Sequence, residues 1–241
     1  MANFNTHFTV SAGASALISS TLLSMGILEP QEALGAFLLG TLGGLLPDID
    51  SAYSTSIKIG FNIFSFLATI TLIFLQYQHY SLVEIIIMSF CLFISIRYLF
   101  LEIFRKISTH RGMIHSIPVS VLWGLVIVVL FDFLKLDILL SWIYGFMITS
   151  GYIVHLLLDE LYSVDLGNVR MKKSFGTAFK FFSFQTTFTS IQTIAIYISI
   201  VLLFKIAPDS SVFVERLFSQ EAFLDFKEVL LPSDGKWFMH S

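Results

Sequence analysis

"ILLSWIYGFMITSGYIVHLLLDELYS", residues 138–163, decides how the rest of the chain is read. Its apolar run from Ile138 to Leu158 is long enough to cross a bilayer as a helix, which takes about 17–25 residues. The end of the stretch sets His155 and Asp159 at i and i+4, one above the other on a helix and about 5–6 Å apart at Cβ. An ionisable group in a hydrophobic helix costs at least about 2.5 kcal/mol near the bilayer centre, so such residues mark a site or pair with one another. The spacing suits one shared metal ion, and it also suits a His–Asp hydrogen bond at the headgroup level.

Composition agrees with a chain built for lipid. Of 241 residues, 56% are hydrophobic and 13% charged, and the mean hydropathy is +0.82, far above what a soluble domain needs to fill one core. The reading is an integral membrane protein. A net charge of -3 provides no basic field for nucleic acid, and no groove-reading or stacking motif is present, so nucleic acid is not an expected partner. The single cysteine, Cys91, lies in an apolar run and has no partner for an intrachain disulfide. The N-terminal "MANFNTHFTV" lacks the positive charge that precedes a signal peptide's apolar stretch, so the first helix is expected to be retained. No internal repeat or low-complexity segment is evident.

Further runs of spanning length are Ile57 to Tyr77, Leu82 to Leu101, Ile117 to Leu134 and Ile191 to Ile206. Two shorter stretches richer in small residues, Val10 to Leu28 and Gln31 to Leu46, are separated by "LEPQE" at Leu28 to Glu32, which predicts a tight helical hairpin. In the second of them Ala36, Gly40 and Gly44 recur every four residues, predicting a face on which a neighbouring backbone approaches closely. The expected fold is all-α, a polytopic transmembrane bundle of about five to seven spans. The expected division is a transmembrane domain over residues 1–207 and an acidic extracytoplasmic tail over 208–241.

Short cytoplasmic loops carry the excess of Lys and Arg. Arg105, Lys106 and Arg111 fall in one loop, and Arg170, Lys172, Lys173 and Lys180 in another. Two spans separate these loops, so both are expected on the cytoplasmic side. The tail, with Asp209, Glu215, Glu221, Asp225, Glu228 and Asp234 against Arg216, Lys227 and Lys236, then falls opposite. Apolar spacing at Phe213, Leu217 and Phe218, then Phe223 and Phe226, predicts an amphipathic tail on the outer surface.

The same count brings His7, "LPDIDS" (Leu45 to Ser51), "THRGMIHS" (Thr109 to Ser116) and "HLLLDELYS" (His155 to Ser163) to one face, at the cytoplasmic helix ends. Pro47 helps end the helix before it, so Asp48 and Asp50 are presented from a helix end or loop, as ligands to a cation or as a solvated turn with an Asp cap. His110 and His115, five apart, would diverge on a continuous helix, but Gly112 and Pro118 argue against a regular helix there. A bent segment would turn both imidazoles inward. Arg111 between them forks toward phosphate or carboxylate. A positive-inside loop explains Arg111 but does not call for two histidines. His7, His110, His115 and His155 thus share a face with Asp48, Asp50 and Asp159, whereas His79 and His240 are assigned no role. Mixed imidazole and carboxylate ligands suit zinc, manganese or iron. Seven candidates exceed what one tetrahedral ion takes, which points to a two- or three-metal centre of the kind that clamps attacking and leaving oxygens in phosphoester hydrolysis. There is no GxSxG elbow, P-loop or paired-Cys motif to support a serine hydrolase, an NTPase or a Cys-based zinc site.

The ordered motifs "H…LPDID…HRGMIHS…HLLLD" resemble the family of bacterial inner-membrane, metal-dependent hydrolases typified by YdjM and described as LexA-regulated. The likeness runs from His7 to about Phe184. It implies a polytopic inner-membrane protein with metal-dependent hydrolase activity, and it carries over His7, Asp48, Asp50, His110, Arg111, His115, His155 and Asp159 as matching positions. The HxxxD element is also similar to the metal-binding helices of zinc-dependent phospholipase C and related single-strand nucleases, which favours a phosphoester substrate. After Asp159, "ELYSVDLGNVRMKKSFGTAFKFFSF" stands where many members have a shorter, proline-containing loop, and this departure bears on the substrate.

The combined expectation is a cytoplasm-facing metal centre holding one to three divalent ions, zinc first with manganese or iron as alternatives. His155, Asp159, His115, His110, Asp48 and His7 are the expected ligands, and Asp50 is a ligand or the general base. Arg111, with Lys172 and Lys173, is expected to hold a substrate phosphate. The reaction would be hydrolysis of an ester or phosphoester of a membrane lipid or lipid-like substrate by metal-activated water. The aromatic run "KFFSFQTTF", Lys180 to Phe188, is expected to seat its loop among the headgroups. A metal-ion or small-solute transporter would instead carry its ligands deep and along several helices. A non-catalytic scaffold would bind no metal.

Overall fold

Each apolar run ends where local chemistry stops it. A computed structural model describes residues 4–47, 55–100, 102, 115–162, 164–165, 170–171, 179–184 and 186–231. Helices α1 (Phe4–Ser24) and α2 (Pro30–Gly43) form the expected hairpin. Pro30 takes the first turn of α2, where its missing N–H costs nothing, and the Glu29 amide donates to the Glu32 carboxylate at 2.8 Å. Helix α3 (Thr55–Gln76) leads through a short turn to α4 (Leu82–Ile94). Ser81 and Glu84 cap α4 reciprocally, and the helix continues through a π-helical segment, Ser95–Phe100. Helix α5 (Ile117–Phe133) is followed by α6 (Ile138–Leu161), whose first turn is capped by Asp137 accepting from the Leu140 amide at 3.2 Å. A two-residue antiparallel pair, β1 (Val164–Asp165) with β2 (Arg170–Met171), precedes α7 (Thr187–Ile206). The tail folds as α8 (Ser211–Leu217) and α9 (Gln220–Leu230).

The fold is the expected all-α membrane bundle. Among the described residues, Leu82–Phe100, α6 and α7 are long and apolar enough to cross a membrane, and α5 is a shorter apolar helix. Several boundaries differ from the hydropathy reading, and two helix starts show why. Helix α7 starts at Thr187 rather than Ile191, because Thr186 accepts from the Thr189 amide at 3.1 Å and caps a turn too polar to register as apolar. Helix α1 starts at Phe4 rather than Val10, because its register follows a buried face rather than hydropathy: His7, Ser11, Ser15, Ser19 and Leu22 all point inward.

Helix α6 is the centre of the bundle. In its most apolar stretch 56% of residues are buried, against 6% in each of the other two spanning helices, so α6 packs on protein where they present their sides to lipid. Its Tyr144, Met147, Ile148, Tyr152 and Leu156 are wholly enclosed, with α1, α2 and α5 packed around it. The α3–α4 pair flanks α2, and α7 flanks α5. The tail folds back on the end of the bundle where α6 begins: the Trp142 indole N–H donates to the Pro208 carbonyl at 3.3 Å, and the Trp142 ring stacks on Phe213.

What lets α1, α2 and α6 meet is the absence of side chains along their shared seam. A Cβ on Gly151 would land on the Gly40 carbonyl oxygen, one on Gly43 on the Ile148 carbonyl oxygen, and one on Gly44 on the Ser11 hydroxyl. On the other side of α6, a Cβ on Gly145 would lie 2.6 Å from the Gly124 carbonyl oxygen of α5. Close backbone approach through small residues is the main source of helix association in lipid, where apolar burial gives no drive. Gly40 and Gly44 thus do what their four-residue spacing predicts.

Candidate metal centre

The seam decides what α6 can reach. Gly44 closes α2, and the last carbonyls of a helix have no partner within it. Its carbonyl accepts instead from Nδ1 of the buried His155, at 2.7 Å. A carbonyl can only accept, so this bond puts an imidazole proton on Nδ1 and turns Nε2 toward Asp159. One turn further along α6, Asp159 is nearly enclosed, and its Oδ2 lies 3.6 Å from His155 Nε2. From the first turn of α1 comes His7, wholly buried, with Nε2 3.3 Å from Asp159 Oδ1. Its ring stacks on that of His155, centroids 3.7 Å apart and 12° from parallel. His115, just before the Ser116 that caps α5, brings Nε2 to 4.0 Å from Asp159 Oδ2. Its side chain is 20% exposed, which makes it the one member of the group on an open side.

This donor set fits a metal ion. One ligand atom each from His7, His155 and Asp159 lie within 4.8 Å of one another. Two ligands on one tetrahedral ion, each at about 2.1 Å, stand about 3.4 Å apart. The 3.3 and 3.6 Å separations match that figure and exceed the range of about 2.7–3.2 Å for a direct N–H···O bond. With Nδ1 protonated, His155 Nε2 and Asp159 Oδ2 also face each other as two acceptors. A cation between them, either a proton that makes His155 an imidazolium or a shared metal ion, would remove that mismatch.

Of the residues singled out in the sequence, His7, His115, His155 and Asp159 come together from three separate segments. Asp48, Asp50, His110, Arg111, Lys172 and Lys173 lie outside the described residues. His79 is in the exposed turn between α3 and α4, and it is not in the metal-suited group. Sequence reasoning missed Gly44 as the acceptor that orients His155. It also missed the inward stripe on α1. Ser11, Ser15 and Ser19 follow His7 at steps of four, a periodicity the sequence does carry, and it would have placed His7 on the buried face.

No curated protein and no solved structure matches the chain. A family model described as YdjM inner membrane protein matches residues 1–219. That span takes in α1 to α8, with all four residues of the cluster. The chain belongs to the YdjM inner membrane protein family.

Proposed function

We propose that the protein is a metal-dependent hydrolase of the inner membrane that cleaves an ester or phosphoester of a lipid or lipid-like substrate. The observation that carries this reading is the enclosed His7–His155–Asp159 group, spaced for a shared ion and oriented by the Gly44 carbonyl. In the proposal these three hold a divalent metal, zinc first and manganese or iron next, with His115 at the open side as a further ligand. When bound, such an ion supplies Lewis acidity, drawing a nucleophile from water near neutral pH and polarising the ester. His155 keeps its lone pair on the metal side because Nδ1 is committed to Gly44. His7, His155 and Asp159 are buried, and His115 is the partly exposed member of the group.

Asp48 and His110 complete the proposed ligand set, which allows for one to three ions. Asp50 serves as ligand or general base, and Arg111 with Lys172 and Lys173 holds a substrate phosphate. The chain is proposed to be multi-pass with this centre facing the cytoplasm, on the side of the basic loops.

The rival reading, a scaffold with a buried ion pair, places a proton where the metal would be. Elemental mass spectrometry on detergent-purified protein separates the two. Wild type is expected to carry stoichiometric zinc, manganese or iron, and a folded His155→Ala/Asp159→Ala variant is expected to carry none. Wild type without metal even after reconstitution would overturn the hydrolase reading in favour of the ion pair.

A further inference from the structure

Residues 179–184, just ahead of α7, are not helical, yet their backbone is tied down at Lys180, Phe181 and Ser183. The Lys180 carbonyl accepts from the Ile117 amide at 3.1 Å. The Phe181 carbonyl accepts from the Tyr197 hydroxyl at 2.9 Å. Thr193 Oγ1 accepts from the Ser183 amide at 3.2 Å and donates to the Ser183 carbonyl at 3.0 Å. Ser183 is buried, whereas Phe181, Phe182 and Phe184 are 53%, 63% and 61% exposed, with the rings of Phe182 and Phe184 stacked 5.6 Å apart.

These partners fix where the segment lies along α7. Thr193 and Tyr197 lie six and ten residues beyond Thr187, which is about 9 and 15 Å along a helix rising 1.5 Å per residue. Helix α7 has 20 residues and spans about one bilayer core. Ile191, Ile194, Ile198, Val201 and Leu202 along it are more than half exposed, as lipid-facing residues are. The extended chain therefore runs antiparallel to α7, down the side of a helix built to face lipid. Non-helical backbone beside a lipid-facing helix survives in a membrane only when its polar groups are taken up by protein. Here two side chains of α7 and one amide of α5 take up the Lys180 and Phe181 carbonyls and both backbone groups of Ser183, and the apolar rings turn outward.

We infer that residues 179–184 form a re-entrant strap, sunk into the membrane leaflet on the metal side, with Phe181, Phe182 and Phe184 in contact with phospholipid acyl chains. The strap pairs at Lys180 with Ser116, the residue next to His115, so it brings the lipid phase to the open edge of the metal group. The inference holds whether or not the centre is hydrolytic.

The test is spin-label accessibility in phosphatidylcholine–phosphatidylglycerol nanodiscs. Cys91 is the sole cysteine, so Phe182→Cys and Phe184→Cys are each made in a Cys91→Ala background and labelled. Ile198→Cys on α7 serves as the lipid-exposed reference and Glu215→Cys in the tail as the aqueous one. At both strap positions, collisions with oxygen are expected to exceed those with a water-soluble nickel chelate, in a ratio close to that of Ile198→Cys and several-fold above that of Glu215→Cys. Nickel-dominated collisions at both positions would make the segment a water-exposed loop and overturn the inference. Low accessibility to both reagents with spin–spin broadening would overturn it too, because a second copy of the chain would then cover the strap. Two independent label sites keep the result readable if one variant fails to fold, and neither readout depends on metal or turnover.

Discussion

Replacing Gly151 by alanine adds one methyl group at the point where α2 and α6 touch. The new Cβ would overlap the Gly40 carbonyl oxygen and lie 2.9 Å from both the Gly40 carbonyl carbon and the Gly44 nitrogen. All three are backbone atoms, so no side chain can swing aside, and the helices have to part by on the order of 1 Å. Overpacking of this kind costs about 1–3 kcal/mol, less a gain of up to about 1 kcal/mol from replacing glycine within a helix. The same displacement moves the Gly44 carbonyl, which lies 2.7 Å from His155 Nδ1, out of the range of about 2.7–3.2 Å for a hydrogen bond. With that bond gone, nothing described here fixes the His155 tautomer, and loss of such an outer partner weakens metal binding by about 10–100-fold. The control is Gly13→Ala on α1, where a Cβ would meet nothing within 4 Å; it should stabilise by roughly 0.5–1 kcal/mol through helix propensity. Unfolding in mixed detergent micelles and zinc competition against a chromophoric chelator read the two effects. Equal stability for the two variants would refute the close α2–α6 seam. Loss of stability with unchanged zinc affinity would refute the role given to the Gly44 carbonyl.

Two further outcomes test neighbouring features. Gly44→Ala should destabilise by about 1–3 kcal/mol, and adding Ser11→Gly should recover much of the loss, since the nearest obstacles are the Ser11 Oγ and Cβ; Gly43→Ala, which meets the Ile148 backbone, should not be rescued by Ser11→Gly. His115→Ala should weaken metal binding less than His155→Ala, because His115 stands farther from Asp159 and is partly exposed; equal losses in chelator competition would place both histidines on the same footing.

Much of this architecture is legible in the chain because lipid imposes a single rule, that a spanning helix must be apolar along its length. Leu82 to Leu101 and Ile138 to Leu158 declare themselves that way, and the pairing of His155 with Asp159 follows from one turn of helix. Helix α1 is harder, since its serines lower the hydropathy where they are buried most completely, and its start is fixed by contacts with α2 and α6 that no local window contains. His7 illustrates the same limit. Its position in the motif order suggested a role, but its stacking on His155 depends on three backbones meeting at Gly40, Gly44 and Gly151. The strap at residues 179–184 announced its aromatic rings in the sequence, whereas the partners that hold its backbone, Thr193 and Tyr197, lie beyond the next helix start.

The inward stripe of α1 has a consequence for how the protein is made. Ser11, Ser15 and Ser19 end up sealed by helices that emerge later, the last of them α6. Until then the first helix has to lie in the membrane with its hydroxyls turned toward nothing that will finally cover them. Part of this is met on the helix itself: the hydroxyls of Ser19, Thr21 and Ser24 donate to carbonyls three or four residues earlier, whereas the Ser11 hydroxyl has no hydrogen-bond partner among the described residues. His7 meets His155 and Asp159 late, since both are translated only after four further helices. The cluster is therefore complete only once α6 has been made, and a ribosome stalled before α6 would leave a membrane-inserted chain without His155 and Asp159.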